Sequence, residues 1–98
     1  MANFTELIKQ SDLVLVDFYA DWRGPCKMMS PILTEAKKHF NDKLKALKIN
    51  LDNNQSLSAK LQVRGVPTLI LYKRSHQVWR QSGVLDANQL ISLVNLHL

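Results

Sequence analysis

A single cysteine, Cys26, serves the whole 98-residue chain, so no disulfide can close within it and no disulfide framework supports the fold. Glycine and proline are equally scarce, three of each, and no linker, repeat or low-complexity stretch breaks the sequence. No apolar run is long enough to span a bilayer. The start, Met1-Ala2-Asn3-Phe4-Thr5-Glu6, lacks the basic-then-apolar order of a secretion signal. A reducing, cytoplasmic setting is therefore expected. The three histidines, His39, His76 and His97, are far apart in sequence, and with one cysteine they promise no metal site. No cofactor is expected either.

What is present is an apolar fraction of 46% with charge spread throughout, the composition of a folded domain rather than a disordered one. The length fits one domain, residues 1–98. A net charge of +5 raises the question of nucleic acid. The lysines, however, are scattered from Lys9 to Lys73 and form neither a basic helix nor a row with aromatics, so solvated helix faces account for them better.

Asn3, with Glu6 three residues on, predicts an N-cap for a short helix reaching Lys9. Leu13 to Tyr19 is a β-rich apolar run, the pattern of a strand buried on both faces. After the loop Ala20–Gly24, Pro25 suits the first turn of a helix. Its apolar stripe is Met29, Ile32, Leu33, Ala36 and Phe40, and Pro31 inside it predicts a kink. Further strands are expected at 44–51, 67–72 and 77–81, and a helix at 55–62. Lys73 to His76 would join the last two strands as a hairpin. That link lacks an Asn-Gly pair, which predicts a loose turn. Asp86 caps a final helix that should bury Leu90, Ile91, Val94 and Leu98. The order implies a parallel β-α-β unit followed by an antiparallel hairpin, in a mixed sheet with helices on both faces.

Trp22-Arg23-Gly24-Pro25-Cys26-Lys27 resembles the active-site segment of the thioredoxin family. The likeness extends to Val16-Asp17-Phe18-Tyr19-Ala20 ahead of it, to Lys48-Ile49-Asn50-Leu51-Asp52, to Val63-Arg64-Gly65-Val66-Pro67-Thr68 and to Ser82-Gly83-Val84. It runs in order from about Asn3 to the C-terminus. The resemblance implies an α/β thioredoxin fold of about four strands, without the family's usual N-terminal edge strand.

It also implies protein-disulfide oxidoreductase chemistry, with one departure. Where the family carries its attacking cysteine, this chain has Arg23, and a guanidinium is always protonated and no nucleophile. Taken alone, Arg23 is an ordinary loop arginine; within this motif it is a missing catalyst. By the same resemblance Cys26 is the shielded resolving thiol. Asp17 is a buried carboxylate that moves that thiol's proton, and Lys48 is the neighbour that tunes it. Trp22, Gly24, Pro25, Val66, Pro67 and Gly83 form a shallow groove for an extended substrate, with Val66–Pro67 as the family's cis-proline turn. The partners implied are protein disulfides or extended peptide segments and a thioredoxin reductase, acting on a monomer, without nucleic acid or membrane. Two alternatives stay open: a redox-silent module that binds peptides in the groove, and a monothiol protein working through Cys26 alone.

Overall fold

The computed structural model describes residues 3–21 and 24–98. Helix α1, Phe4–Ile8, starts as expected, with the Asn3 side chain accepting from the Glu6 N–H at 2.9 Å. Strand β1, Leu13–Tyr19, is buried along nearly its whole length because sheet neighbours flank it on both sides and helices cover both faces. Helix α2, Gly24–Phe40, buries Cys26, Met29, Leu33, Ala36 and Phe40, one stripe at helical spacing. It runs unbroken through Pro31. The Lys37 ammonium closes its far end by donating to the carbonyls of Asn41 and Leu44, at 2.6 and 2.5 Å.

Strand β2 is Lys45–Asn50, helix α3 Gln55–Lys60, β3 Thr68–Lys73, β4 His76–Ser82 and α4 Ala87–Asn95. The sheet order is β2-β1-β3-β4, with β1–β2 parallel and the other two pairs antiparallel. No strand precedes α1 among the described residues, and β2 lies at an edge. Alternation along β1 divides the core. Leu13 and Leu15 join Met29, Leu33, Phe40, Leu90 and Val94 under α2 and α4. Val14, Val16 and Phe18 join Ile8, Val63, Ile70 and Tyr72 under α1 and α3.

Two expectations are corrected. The hairpin link is tight, not loose: Lys73 faces His76 directly, leaving only Arg74 and Ser75 to turn. Both have positive φ, 50° and 72°, the left-handed pair that matches the twist of the flanking strands. Strand register thus overrides the preference for Asn-Gly. An irregularity between Leu71 and Tyr72 lets β4 carry one extra residue, Val78, between Gln77 and Trp79. The second correction is Leu98, which lies beyond the end of α4 and is 55% exposed. Once the helix stops at Asn95, helical spacing no longer aims a side chain at the core. Capping at the start of α4 holds: Asp86 and Gln89 make reciprocal bonds.

Candidate functional site

The sheet order brings four chain ends to one pole: the C-terminal ends of β1, β2 and β4 and the N-terminal end of β3. α2 begins at the same pole. Asp17, Gly24, Pro25, Cys26, Lys48, Val66, Pro67 and Gly83 belong to this end of the molecule or to the strands just beneath it. Trp22 and Arg23 lie outside the described residues.

Cys26 sits in the first turn of α2 and is 3% exposed. Its sulfur accepts a hydrogen bond from the backbone N–H of Ala20, 3.5 Å away, which ties the thiol to the end of β1. Gly24 and Pro25, immediately before it, are exposed. The thiol is therefore an interior group with exposed backbone in front of it.

Three residues back along β1 from Ala20 is Asp17, which is fully buried. As an odd-numbered residue of β1 it shares the face covered by α2 with Leu13 and Leu15. Neither carboxylate oxygen has a hydrogen-bond partner among the described residues. Burial pushes its pKa from 3.8 up to about 6, and the positive charge of Lys48 opposes that rise.

Lys48 faces Asp17 across the parallel β1–β2 ladder. Its ammonium is engaged elsewhere, donating to the Ser30 hydroxyl at 2.7 Å and lying 4.6 Å from the centre of the Tyr19 ring. Lys48 therefore acts on Asp17 through space rather than through a bond. Neither Ser30 nor Tyr19 was singled out from sequence. Ser30 is four residues after Cys26, one helical turn, and that spacing was the available signal.

The third part of the site is the turn into β3. Val66–Pro67 is cis, and Pro67 is buried. Its carbonyl accepts from the Gly83 N–H at 2.9 Å. Gly83 has φ +94°, where a side chain would be strained, so glycine is the residue that fits this crossing. The Thr68 hydroxyl donates to the Gly65 carbonyl at 2.6 Å and lies 2.9 Å from the Ser82 hydroxyl, pinning the turn to the end of β4. Sequence reasoning missed this Gly65–Thr68–Ser82 bracket.

Pro25, Met28 and Val84 are exposed at this pole, and Val66 is half-buried. The result is an open apolar surface above a buried thiol and a buried carboxylate. A well-formed cleft of about 340 Å³, lined by His39, Phe40, Lys43 and Leu98 among others, involves none of these groups. A surface of this shape suits an extended chain better than an enclosed small molecule.

The family model described as thioredoxin matches residues 1–96. The thioredoxin of Haemophilus influenzae is 42% identical over 98 residues, covering 99% of this chain and 92% of that protein. A thioredoxin-like protein of Synechocystis is 43% identical over 91 residues, covering 92% and 87%. Among solved structures, a mutant thioredoxin from Halobacterium salinarum superposes with a TM-score of 0.86 at 37% identity, covering 98% of this chain and 86% of that one. The oxidised thioredoxin of Plasmodium falciparum gives 0.82 at 33% identity, over 93% and 88%.

Proposed function

The chain belongs to the thioredoxin family, and on that premise we propose a protein-disulfide oxidoreductase scaffold whose attacking thiol is replaced by Arg23. One observation carries the reading: the only sulfur nucleophile in the sequence, Cys26, is buried behind Gly24 and Pro25.

Dithiol exchange proceeds in two displacements. A thiolate attacks a substrate sulfur, forming a mixed disulfide and expelling the second substrate sulfur as a thiolate. A neighbouring thiolate then attacks the mixed disulfide and releases the reduced substrate, leaving the two protein sulfurs bonded to each other. Cys26 is suited to the second displacement only. Its burial, at 3% exposure, disfavours the approach of an outside disulfide. Arg23 supplies no electron pair for the first.

The rest of the machinery suits the second step. In this reading Asp17, protonated below about pH 6 and ionised above it, takes up the Cys26 proton. The Lys48 charge keeps that carboxylate from rising further. Trp22, Gly24, Pro25, Val66, Pro67 and Gly83 bind an extended substrate segment, with backbone groups beside Pro67 pairing to it as an added strand. The partners in this reading are protein disulfides and a thioredoxin reductase, meeting a monomer in a reducing compartment such as the cytoplasm. Among the described residues no helix is long and apolar enough to cross a membrane.

A second reading is a redox-silent peptide-binding module, favoured by the apolar surface of Pro25, Met28 and Val84, which does not depend on a thiol at position 23. Catalysed reduction of a protein disulfide by dithiothreitol tests the main reading. The purified chain should add nothing to the uncatalysed rate. Turnover above that rate that disappears in Cys26→Ser would overturn it in favour of a monothiol enzyme.

A further inference from the structure

Residues 61–67, between α3 and β3, include the backbone that would pair with a substrate segment, yet hydrogen bonds within the segment hold little of it. α3 ends over Gln62, whose φ of 57° is left-handed. The Gln62 N–H bonds the Ala59 carbonyl at 3.1 Å and the Val63 N–H bonds the Ser58 carbonyl at 2.9 Å, a closure that usually places glycine at that position. The Val63 side chain is buried beneath α3. Beyond it, the N–H groups of Arg64, Gly65 and Val66 make no backbone-to-backbone bond among the described residues.

The segment is held instead from β4. Where a helix ends, its last carbonyls lack partners within it. The Arg80 guanidinium takes up two of them: Nη1 donates to the Leu61 carbonyl and Nη2 to the Gln62 carbonyl, each at 2.6 Å. Ser82, two residues further on, lies on the same face of β4, since Arg80 is in register with Ile70 and Ser82 with Thr68. The Ser82 hydroxyl lies 2.9 Å from that of Thr68, which in turn donates to the Gly65 carbonyl. Gly83 follows, with its N–H on the Pro67 carbonyl. One strand thus grips the segment at both ends, by Arg80 at Leu61 and Gln62, and by Ser82 and Gly83 at Thr68 and Pro67.

The residue type matters at the first grip. Carbonyls of two successive residues need two donors in a fixed relation. A guanidinium supplies them from one rigid plane, whereas an ammonium is a point donor on a flexible stem.

We infer that Arg80 is a positioning residue for the Val66 backbone, fixing the end of α3 against β4 so that Arg64, Gly65 and Val66 span two held points. This rests on the reading that an extended substrate pairs beside Pro67. Arg80 acts through the segment and touches no substrate. Without its guanidinium, water can reach the two carbonyls, because Gln62 is exposed and Leu61 half-buried. The fold therefore persists while the segment loosens.

Arg80→Met keeps the apolar stem and removes the fork. In the otherwise unaltered chain, backbone order parameters from nitrogen relaxation should fall at Gly65 and Val66, to below about 0.6, and hold steady along β1. In the Arg23→Cys background, the same change should raise KM for a protein disulfide at least about fivefold and leave kcat within about twofold, the mark of lost binding rather than lost sulfur chemistry. Val94→Ala, a core change in α4 remote from the segment, lowers stability and should move neither readout. Arg80→Lys should recover only part of the KM, because an ammonium cannot hold both carbonyls in one geometry. Unchanged order parameters in Arg80→Met would overturn the proposal. So would an equal KM shift in Val94→Ala, or full recovery in Arg80→Lys. If the Arg23→Cys protein is inert, the functional reading fails, and the order parameters alone decide whether Arg80 positions the segment.

Discussion

Asp17 and Lys48 sit opposite each other on adjacent parallel strands, yet the Lys48 ammonium bonds Ser30 and both Asp17 oxygens have no hydrogen-bond partner among the described residues. A carboxylate kept buried and unbonded is a standing cost of this fold, because ionising it in the interior forfeits hydration that nothing replaces. Most of the pH behaviour expected of the chain follows from that pair.

Asp17 binds its proton more tightly folded than unfolded, about 6 against 3.8. The folded state therefore holds more protons between these values, and stability is full below about pH 4 and declines as pH rises through about 6. The decline attributable to this group is on the order of 3 kcal/mol by pH 8. Asp17→Asn should be more stable than the unaltered chain by ~1–3 kcal/mol at pH 8 and should lose that advantage at pH 4. Urea unfolding across this range measures the difference; an advantage that does not change with pH would contradict the account.

Removing the Lys48 charge should move Asp17 further in the same direction. In Lys48→Met, a carbon-detected titration of the Asp17 carboxyl should show a midpoint above that of the unaltered protein, because the positive charge that opposes the rise is gone. A lower midpoint would mean that Lys48 acts chiefly by holding Ser30 in place.

The hairpin carries a removable strain. Arg74 and Ser75 both occupy left-handed backbone, which costs side-chain-bearing residues of this kind about 1 kcal/mol each. Replacing the pair with Asn and Gly should raise unfolding free energy by ~1–2 kcal/mol without changing the register of Lys73 with His76. Equilibrium denaturation reads the gain, and a loss would show that Arg74 contributes more through its side chain than its backbone costs.

Among the described residues Tyr72 is the other buried side chain without a hydrogen-bond partner. Burial raises the pKa of its hydroxyl against the influence of Arg80. The guanidinium of Arg80 is occupied by the carbonyls of Leu61 and Gln62, both at 2.6 Å. Tyr72→Phe keeps the edge-on contact with Phe4 at 5.6 Å and should be neutral or stabilising by up to ~1 kcal/mol. A loss of more than that in thermal unfolding would reveal an acceptor for the hydroxyl.

The burial of Asp17 was legible in sequence because apolar residues on both sides leave a central strand no exposed face. The end of α4 was not. Leu98 continues the spacing of Leu90 and Val94, but spacing has meaning only while the helix lasts, and nothing local marks Asn95 as its end. The tight Arg74–Ser75 turn was hidden for a related reason: neither residue favours left-handed backbone, and the register of two long strands imposes it. The Lys48–Ser30 bond spans 18 positions and depends on how α2 lies across β2, which no local pattern encodes. The role proposed for Arg23, by contrast, rests on the sequence alone. Chemistry at that position depends on residue type before it depends on geometry.

Restoring a thiol at position 23 tests this directly. Arg23→Cys, assayed beside the unaltered chain for reduction of a protein disulfide with dithiothreitol as donor, should exceed the uncatalysed rate at least ~100-fold, since loss of a catalytic nucleophile costs orders of magnitude. The unaltered chain should match the uncatalysed rate. An Arg23→Cys protein that folds but stays inert, or an unaltered chain that already turns over, would contradict the account.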